Sequence, residues 1–188
     1  MTRDELRSVP EQLFTPRLLL RAPRAGDGDA ICAAVRASLT ELKPWMVFAQ
    51  EEPEPARFEA NVRRAQANFV LRRELRYLLF LRDGEAFVGV AGLQHIDWGV
   101  PKFEIGYWQD SRFSRQGLMT EAVGALCEMA QGALGARRLE IRCDALNLRS
   151  QGVPTRLGFE LEGRLRNEDV AADDPSRLRD TLVFARVQ

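Results

Sequence analysis

Five groups of residues have types or spacings that could suit chemistry. Phe113-Ser114-Arg115-Gln116-Gly117-Leu118-Met119-Thr120-Glu121-Ala122 joins an apolar, aromatic run that predicts a strand (residues 103–109) to an amphipathic pattern that predicts a helix (residues 117–134). A glycine at such a junction lets the first helical N–H groups crowd around an anion, and the helix dipole adds partial positive charge. Phosphate is the natural guest, although a plain tight turn followed by Thr120 and Glu121 as caps would leave the same residues. Asn147-Leu148-Arg149-Ser150 opens a later helix, where Asn147 suits an N-cap and the Ser150 hydroxyl either caps its own backbone or faces a cleft. Glu104 stands between Phe103 and Ile105, where loss of water would make a carboxylate a stronger base; it equally suits a cross-strand partner for an arginine. The lone histidine, His95, falls in or near a strand end and reads as structural. Cys32, Cys127 and Cys143 are far apart among apolar neighbours, so they read as buried thiols with no disulfide framework and no metal site.

These residues must be positioned by an ordinary globular chain. At 188 residues it fits one domain, and 45% hydrophobic with 29% charged residues is the balance of a soluble enzyme or binding domain. With 27 basic and 27 acidic residues there is no global field to attract nucleic acid or an anionic membrane. No apolar run approaches a membrane span and the first 30 residues lack a signal-peptide core, so a cytoplasmic protein is expected.

Residues 1–13 read as an N-terminal extension and 14–188 as a single domain. Residues 15–23, fenced by Pro16 and Pro23, predict a strand at or near a sheet edge. Asp27-Gly28-Asp29 then starts a helix of about ten residues. Residues 39–50 carry Pro44, Trp45, Met46 and Phe48, read as core filler in preference to the wall of a substrate groove. Pro53 and Pro55 open a helix running to about residue 73. Strands over 76–82 and 86–96 are joined at Asp83-Gly84, with Gly89 and Gly92 marking a bulge or a close backbone approach. A strand over 138–143, a helix closing at Leu157-Gly158, and a strand pair over 159–166 and 180–187 joined by a polar loop complete an α+β domain around a mixed sheet.

In this order the passages resemble the GNAT superfamily of acetyl-CoA-dependent N-acetyltransferases, and within it the RimJ/RimL branch that acetylates ribosomal-protein N-termini. Thr15-Pro16-Arg17-Leu18-Leu19-Leu20-Arg21, Glu104-Ile105-Gly106-Tyr107-Trp108, Gly117-Leu118-Met119-Thr120-Glu121-Ala122, Asn147-Leu148-Arg149-Ser150 with Leu157-Gly158-Phe159-Glu160-Leu161-Glu162-Gly163, and Arg179-Asp180 carry it. The resemblance implies a largely antiparallel central sheet of six to seven strands, splayed at a parallel pair and flanked by helices. It implies acetyl-CoA as cofactor, with the main chain of Tyr107, Trp108 and Gln109 along the pantetheine arm and Arg115, Gln116, Gly117, Leu118, Met119 and Thr120 around the pyrophosphate. The family's loop reads Gln/Arg-x-x-Gly-x-Gly/Ala; aligned on Gly117, this chain has Ser114 and Met119 at the flanking positions. Arg112, Arg115, Arg149 and Arg156 flank the loops and could meet the 3′-phosphate.

The resemblance also implies roles. Pro154 stands where much of the superfamily places a proton-donating tyrosine, and the RimL pattern makes Ser150 that donor. Asn147 would contact the cofactor or hold the splayed strand. Glu104 and, after the Leu-Glu-Gly strand, Glu168 or Asp169 are the candidate bases. The expected reaction is transfer of acetyl to a protein N-terminal amine by direct attack, with a possible homodimer and neither nucleic acid nor membrane as partner. A polyamine or aminoglycoside acceptor, or an inactive acyl-CoA-binding regulatory module, are the alternatives. A P-loop nucleotide hydrolase is disfavoured, since no Gly-x-x-x-x-Gly-Lys-Ser/Thr run is present.

Overall fold

Side chains at two-residue spacing divide the strands between two apolar layers. Leu75, Tyr77 and Leu79 point into one cluster, and Leu78 and Phe80 into the other. A computed structural model describes residues 8–84 and 86–188, so the first seven residues of the expected extension lie outside it. The elements run β1 (Gln12–Phe14), β2 (Leu18–Arg21), α1 (Gly28–Ala37), α2 (Leu39–Leu42), α3 (Pro55–Val70), β3 (Leu75–Leu81), β4 (Phe87–Asp97), β5 (Lys102–Gln109), α4 (Leu118–Gly132), β6 (Arg138–Asp144), α5 (Leu148–Arg156), β7 (Glu160–Val170) and β8 (Leu178–Val187). They form one sheet in the order β1-β2-β3-β4-β5-β6-β8-β7. α4 buries Leu118, Ala122, Leu126 and Ala130 on one face, while Ile31 and Val35 of α1 and Val62 of α3 cover the other.

All neighbours are antiparallel except β5 and β6, which pair in parallel at Lys102↔Arg138, Phe103↔Leu139 and Glu104↔Glu140 and then part. β6 stays bound to β8 as far as Asp144↔Thr181, and β5 stays bound to β4 as far as Gln109↔Gly89. The gap between β5 and β6 therefore runs through the sheet and joins its two faces.

Four expectations change. The sheet has eight strands rather than six or seven, because residues 12–14 pair with β2. Val9 is buried in the core and the Tyr77 hydroxyl donates to the Pro10 carbonyl at 2.6 Å, so the described part of the expected extension is bound into the domain. Three residues are too few to show an alternation. The strand pair at the end is longer than expected, leaving only residues 171–177 as loop. β7 is an edge strand exposed along most of its length, and its charged sequence carries no apolar period. Trp45, Met46 and Phe48 are half-buried and line a groove, while Met46 and Phe48 also pack against the second core cluster, so the segment serves as both.

Gly89 and Gly92 are where backbones come close. Val88 is unmatched between the pairs Leu79↔Gly89 and Phe80↔Phe87, a bulge. A Cβ on Gly89 would sit 2.4 Å from the Trp108 carbonyl oxygen, and one on Gly92 would sit 2.7 Å from that of Leu75. Gly89→Ala should therefore cost about 2 kcal/mol of stability and roughly 4–8 °C of melting temperature, measured by thermal denaturation; an unchanged midpoint would show that β5 yields freely at this point.

Candidate active site

Two cavities meet at the gap between β5 and β6. One, of about 900 Å³, is lined by α1, α3 and the far ends of β6 to β8; the other, of about 1140 Å³, is lined by α4, α5 and the segment after β5. Trp45, Met46, Tyr107, Trp108, Asn147 and Ser150 line both and form their common wall. Phe48 and Phe87 hold the Trp108 ring at centroid distances of 5.6 and 5.9 Å.

The larger cavity contains the expected phosphate loop. Past Glu104 no β6 residue pairs with β5, so the main chain around residues 107–109 offers an open edge there. β5 ends at Asp110, which is fully buried and ionically tied: its carboxylate accepts from the Arg112 amide at 3.0 Å and from the Arg112 guanidinium at 2.5–3.0 Å. Ser38, also fully buried, accepts from the Ser111 amide at 2.8 Å. Arg115 (φ 63°) and Gly117 (φ 77°) both turn left-handed, delivering the chain into α4 with its first-turn amides facing the cavity. Gly117, Arg115, Met119, Thr120 and Gln109 line this cavity; Gln116 and Leu118 do not, and Leu118 is buried in the core. Leu118 therefore has only its backbone to offer. Arg112 is committed to Asp110 and Arg156 donates to the Gly152 carbonyl at 2.9 Å, which leaves Arg115 and Arg149 as the exposed cations of the four without a partner among the described residues.

The far end of the loop is tied to the N-terminal segment. Glu121 Oε1 accepts from the Thr15 hydroxyl at 2.5 Å and the Arg17 amide at 2.9 Å, and Oε2 from Arg17 Nε at 2.7 Å. Arg17 Nη1 also donates to the Gln116 carbonyl at 2.8 Å. Burial pushes the Glu121 carboxyl up, but Thr15 and Arg17 outweigh it and hold the group below the usual carboxylate range.

At the common wall the Tyr107 hydroxyl donates to the Ser150 carbonyl at 2.8 Å and lies 3.1 Å from Ser150 Oγ. Burial pushes the Tyr107 hydroxyl well above its ordinary value, partly opposed by Ser150. The helix cap is Asn147, whose Oδ1 accepts from the Ser150 amide at 3.1 Å. Ser150 Oγ is thereby relieved of the capping role that its position alone allowed. Cys143 borders the smaller cavity, but burial pushes its thiol up to about 11, so it stays protonated near neutrality.

Both carboxylates proposed as bases, Glu104 and Glu168, line the smaller cavity. Gln94 Nε2 donates to Glu104 Oε1 at 2.8 Å, and His95 Nδ1 lies 2.9 Å from Oε2. Glu168 Oε2 accepts from the Thr181 hydroxyl at 2.7 Å, and Arg142 stands 3.6 Å from Oε1. Asp169, the other choice one residue along, is bound by the Val170 amide and, at 2.6 Å, by Arg179; these hold its carboxyl below the usual range despite the opposing effect of burial. Sequence reasoning missed the anchoring roles of Thr15, Arg17, Ser38 and Asp110, because their partners lie between 72 and 106 residues away for all but Arg112.

Residues 17–160 match the model of the acetyltransferase (GNAT) domain. The ribosomal-protein-serine acetyltransferase of Escherichia coli (strain K12) is 28% identical over 149 residues, 77% of this chain and 80% of that one. Among solved structures, RimL, the ribosomal L7/L12 alpha-N-protein acetyltransferase in complex with coenzyme A, superposes with a TM-score of 0.84 at 24% identity, covering 95% of this chain and 97% of the other. The microcin C7 self-immunity acetyltransferase MccE, in complex with acetyl-CoA and AMP, gives 0.84 at 19% identity over 93% and 94%. The chain belongs to the GNAT acetyltransferase family.

The Glu121 anchor makes a pH prediction. A carboxyl whose folded value is depressed stabilises the fold above its unfolded value and loses that contribution as pH falls through the folded value. Below about pH 5 the melting temperature of the wild type should therefore fall more steeply than that of Glu121→Gln, which starts lower at neutral pH; parallel profiles would mean that Thr15 and Arg17 do not stabilise the ionised form.

Proposed function

We propose that this GNAT acetyltransferase binds acetyl-CoA in the larger cavity and transfers the acetyl group to a protein N-terminal amine held in the smaller one. The observation that carries this is the common wall. A thioester reaching the gap between β5 and β6 from one face would meet an amine arriving from the other beside Tyr107, Asn147 and Ser150, a geometry for direct attack within a ternary complex. The names of the relatives, a ribosomal-protein-serine acetyltransferase and RimL, favour a protein terminus as acceptor.

In this reading the pantetheine arm runs along the open edge of residues 107–109 as an added strand. The pyrophosphate sits on the amides from Arg115 to Thr120, where backbone donors make the side chains of Ser114 and Met119 secondary. Arg115, exposed and without an ion-pair partner, meets a phosphate. Asn147 caps α5 and so fixes Ser150, whose hydroxyl protonates the departing CoA thiolate. Glu104 takes a proton from the acceptor ammonium; Glu168, with both oxygens engaged by Thr181 and Arg142, orients the acceptor instead.

Acetyl-CoA at a hundredfold excess over its dissociation constant should stabilise the fold by about 2.7 kcal/mol, seen as a rise in melting temperature; no rise at saturating ligand would end the acetyl-CoA reading. Ser150→Ala should lower kcat by about a hundredfold or more with KM for acetyl-CoA unchanged, and full turnover would remove it as the acid. Acetylation of peptides beginning with Ser or Ala, run beside spermidine and an aminoglycoside, checks the acceptor: preference for either small amine would replace the protein terminus.

A further inference from the structure

An ammonium that becomes an amide loses two protons. One ends on the CoA sulfur, and the other must leave a cavity whose proposed base, Glu104, has a side chain only 14% exposed. A carboxylate so enclosed has little contact of its own with water, so a more exposed neighbour would speed the proton's departure. One described group connects it to solvent. His95 Nδ1 lies 2.9 Å from Glu104 Oε2, and the His95 side chain is 76% exposed.

The backbone holds the imidazole there at a cost. β4 leaves its register with β5 between Gln94 and Asp97, and within that bulge His95 adopts φ 46°, a left-handed conformation that a non-glycine residue occupies under strain. In a regular strand His95 would follow the alternation; the bulge turns it instead onto the carboxylate at the last paired position before the gap. Several charges nearby are occupied. On β3 Arg76 pairs with Glu74 at 2.8 Å, and on β6 Glu140, opposite Glu104 in register, pairs with Arg138 at 2.6 Å. Arg142 faces Glu168 at 3.6 Å, and Asp97, across from Lys102, accepts from the Gly99 and Val100 amides at 2.9 and 3.2 Å. Gln94 fixes the other oxygen of Glu104, so Oε2 is the one presented to the ring.

We propose that His95 is the proton exit of the acetyl-transfer reaction, relaying to solvent the proton that Glu104 takes from the acceptor ammonium. The proposal rests on the reading of Glu104 as base. The ammonium N–H bond breaks and its proton joins Glu104; Oε2 passes it to His95 Nδ1; the imidazolium releases a proton from the opposite nitrogen to water. The ring regains its starting tautomer by exchange with solvent, which its exposure permits. No electron changes hands, and one proton leaves per acetyl transferred.

Turnover of His95→Asn is measured with acetyl-CoA and whichever acceptor of the peptide and amine panel is used best, in dilute buffer and again with added imidazole. Asparagine tolerates the left-handed backbone, so the bulge is retained. The expected result is a fall in kcat of about tenfold or more, restored by imidazole, with KM for acetyl-CoA and the melting temperature unchanged. A structural role for His95 would not give rescue by free imidazole. Wild-type turnover of His95→Asn in dilute buffer, or a loss that imidazole does not restore, overturns the relay. Glu104→Gln separates the two readings: if it retains turnover the base assignment has failed, and if it alone is inactive the relay has failed by itself. Because the chain has a single histidine, the imidazole ¹⁵N shifts report the pair without any acceptor; they should differ between wild type and Glu104→Gln, and identical shifts overturn the pairing.

Discussion

The parting of β5 from β6 is the constraint on which the rest of the molecule turns. Three parallel pairs hold the strands together and then each follows its other neighbour, β5 with β4 and β6 with β8. A continuous sheet would separate the two faces; this one leaves an opening where main-chain groups lack strand partners. Buried backbone donors and acceptors without partners are costly, so such an edge is stable only if water or a ligand meets it. The α+β GNAT architecture thus leaves a binding site as a by-product of strand geometry, and α5, capped by Asn147, closes its far side with Ser150.

Holding the opening in place falls to two carboxylates outside the proposed chemistry, one fully buried and one partly buried. Asp110 fixes the end of β5 against Arg112 and, through Ser38, against the end of α1. Glu121 fixes the start of α4 against Thr15 and Arg17. The loop between β5 and α4 runs between these two anchors, so its left-handed residues at 115 and 117 are set from both ends. Charge-assisted bonds of this kind are short and directional, and their value here lies in placing backbone amides before a ligand arrives.

The α+β class, the strand-turn-helix junction at Gly117 and the Asn147 cap were legible because each leaves a local mark: alternation, a glycine at a left-handed turn, a polar residue at a helix start. Gly89 and Gly92 were legible as close approaches for the same reason. The strand-helix-strand order over residues 103–143 called for a parallel or splayed pair, and the resemblance added that the pair is splayed. β1 was not legible, since three residues on an edge need no alternation. Nor was the length of β7, whose Glu, Arg and Asp side chains face water on both sides. Trp45, Met46 and Phe48 read as core because an apolar cluster looks alike whether protein or ligand covers it. Thr15, Arg17 and Asp110 were hidden by sequence distance.

The bulges carry the remaining step. Residues in a regular strand alternate between faces, so a wall built from strands can present only every second side chain to a cavity. β4 breaks this at His95 and β7 breaks it between Leu165 and Asp169, where Asn167 turns left-handed at φ 50°. Each break stands beside one of the two candidate carboxylates, Glu104 and Glu168, which line the same cavity. Strain at such positions is tolerated where the surrounding ladder is strong, and β7 and β8 remain paired on both sides of the second bulge. The two carboxylates consequently differ in their partners, an exposed imidazole for one and a guanidinium with a hydroxyl for the other. In the proposed relay the group that gives its proton away needs a neighbour able both to accept and to donate one, and the imidazole, with two ring nitrogens, has one for each.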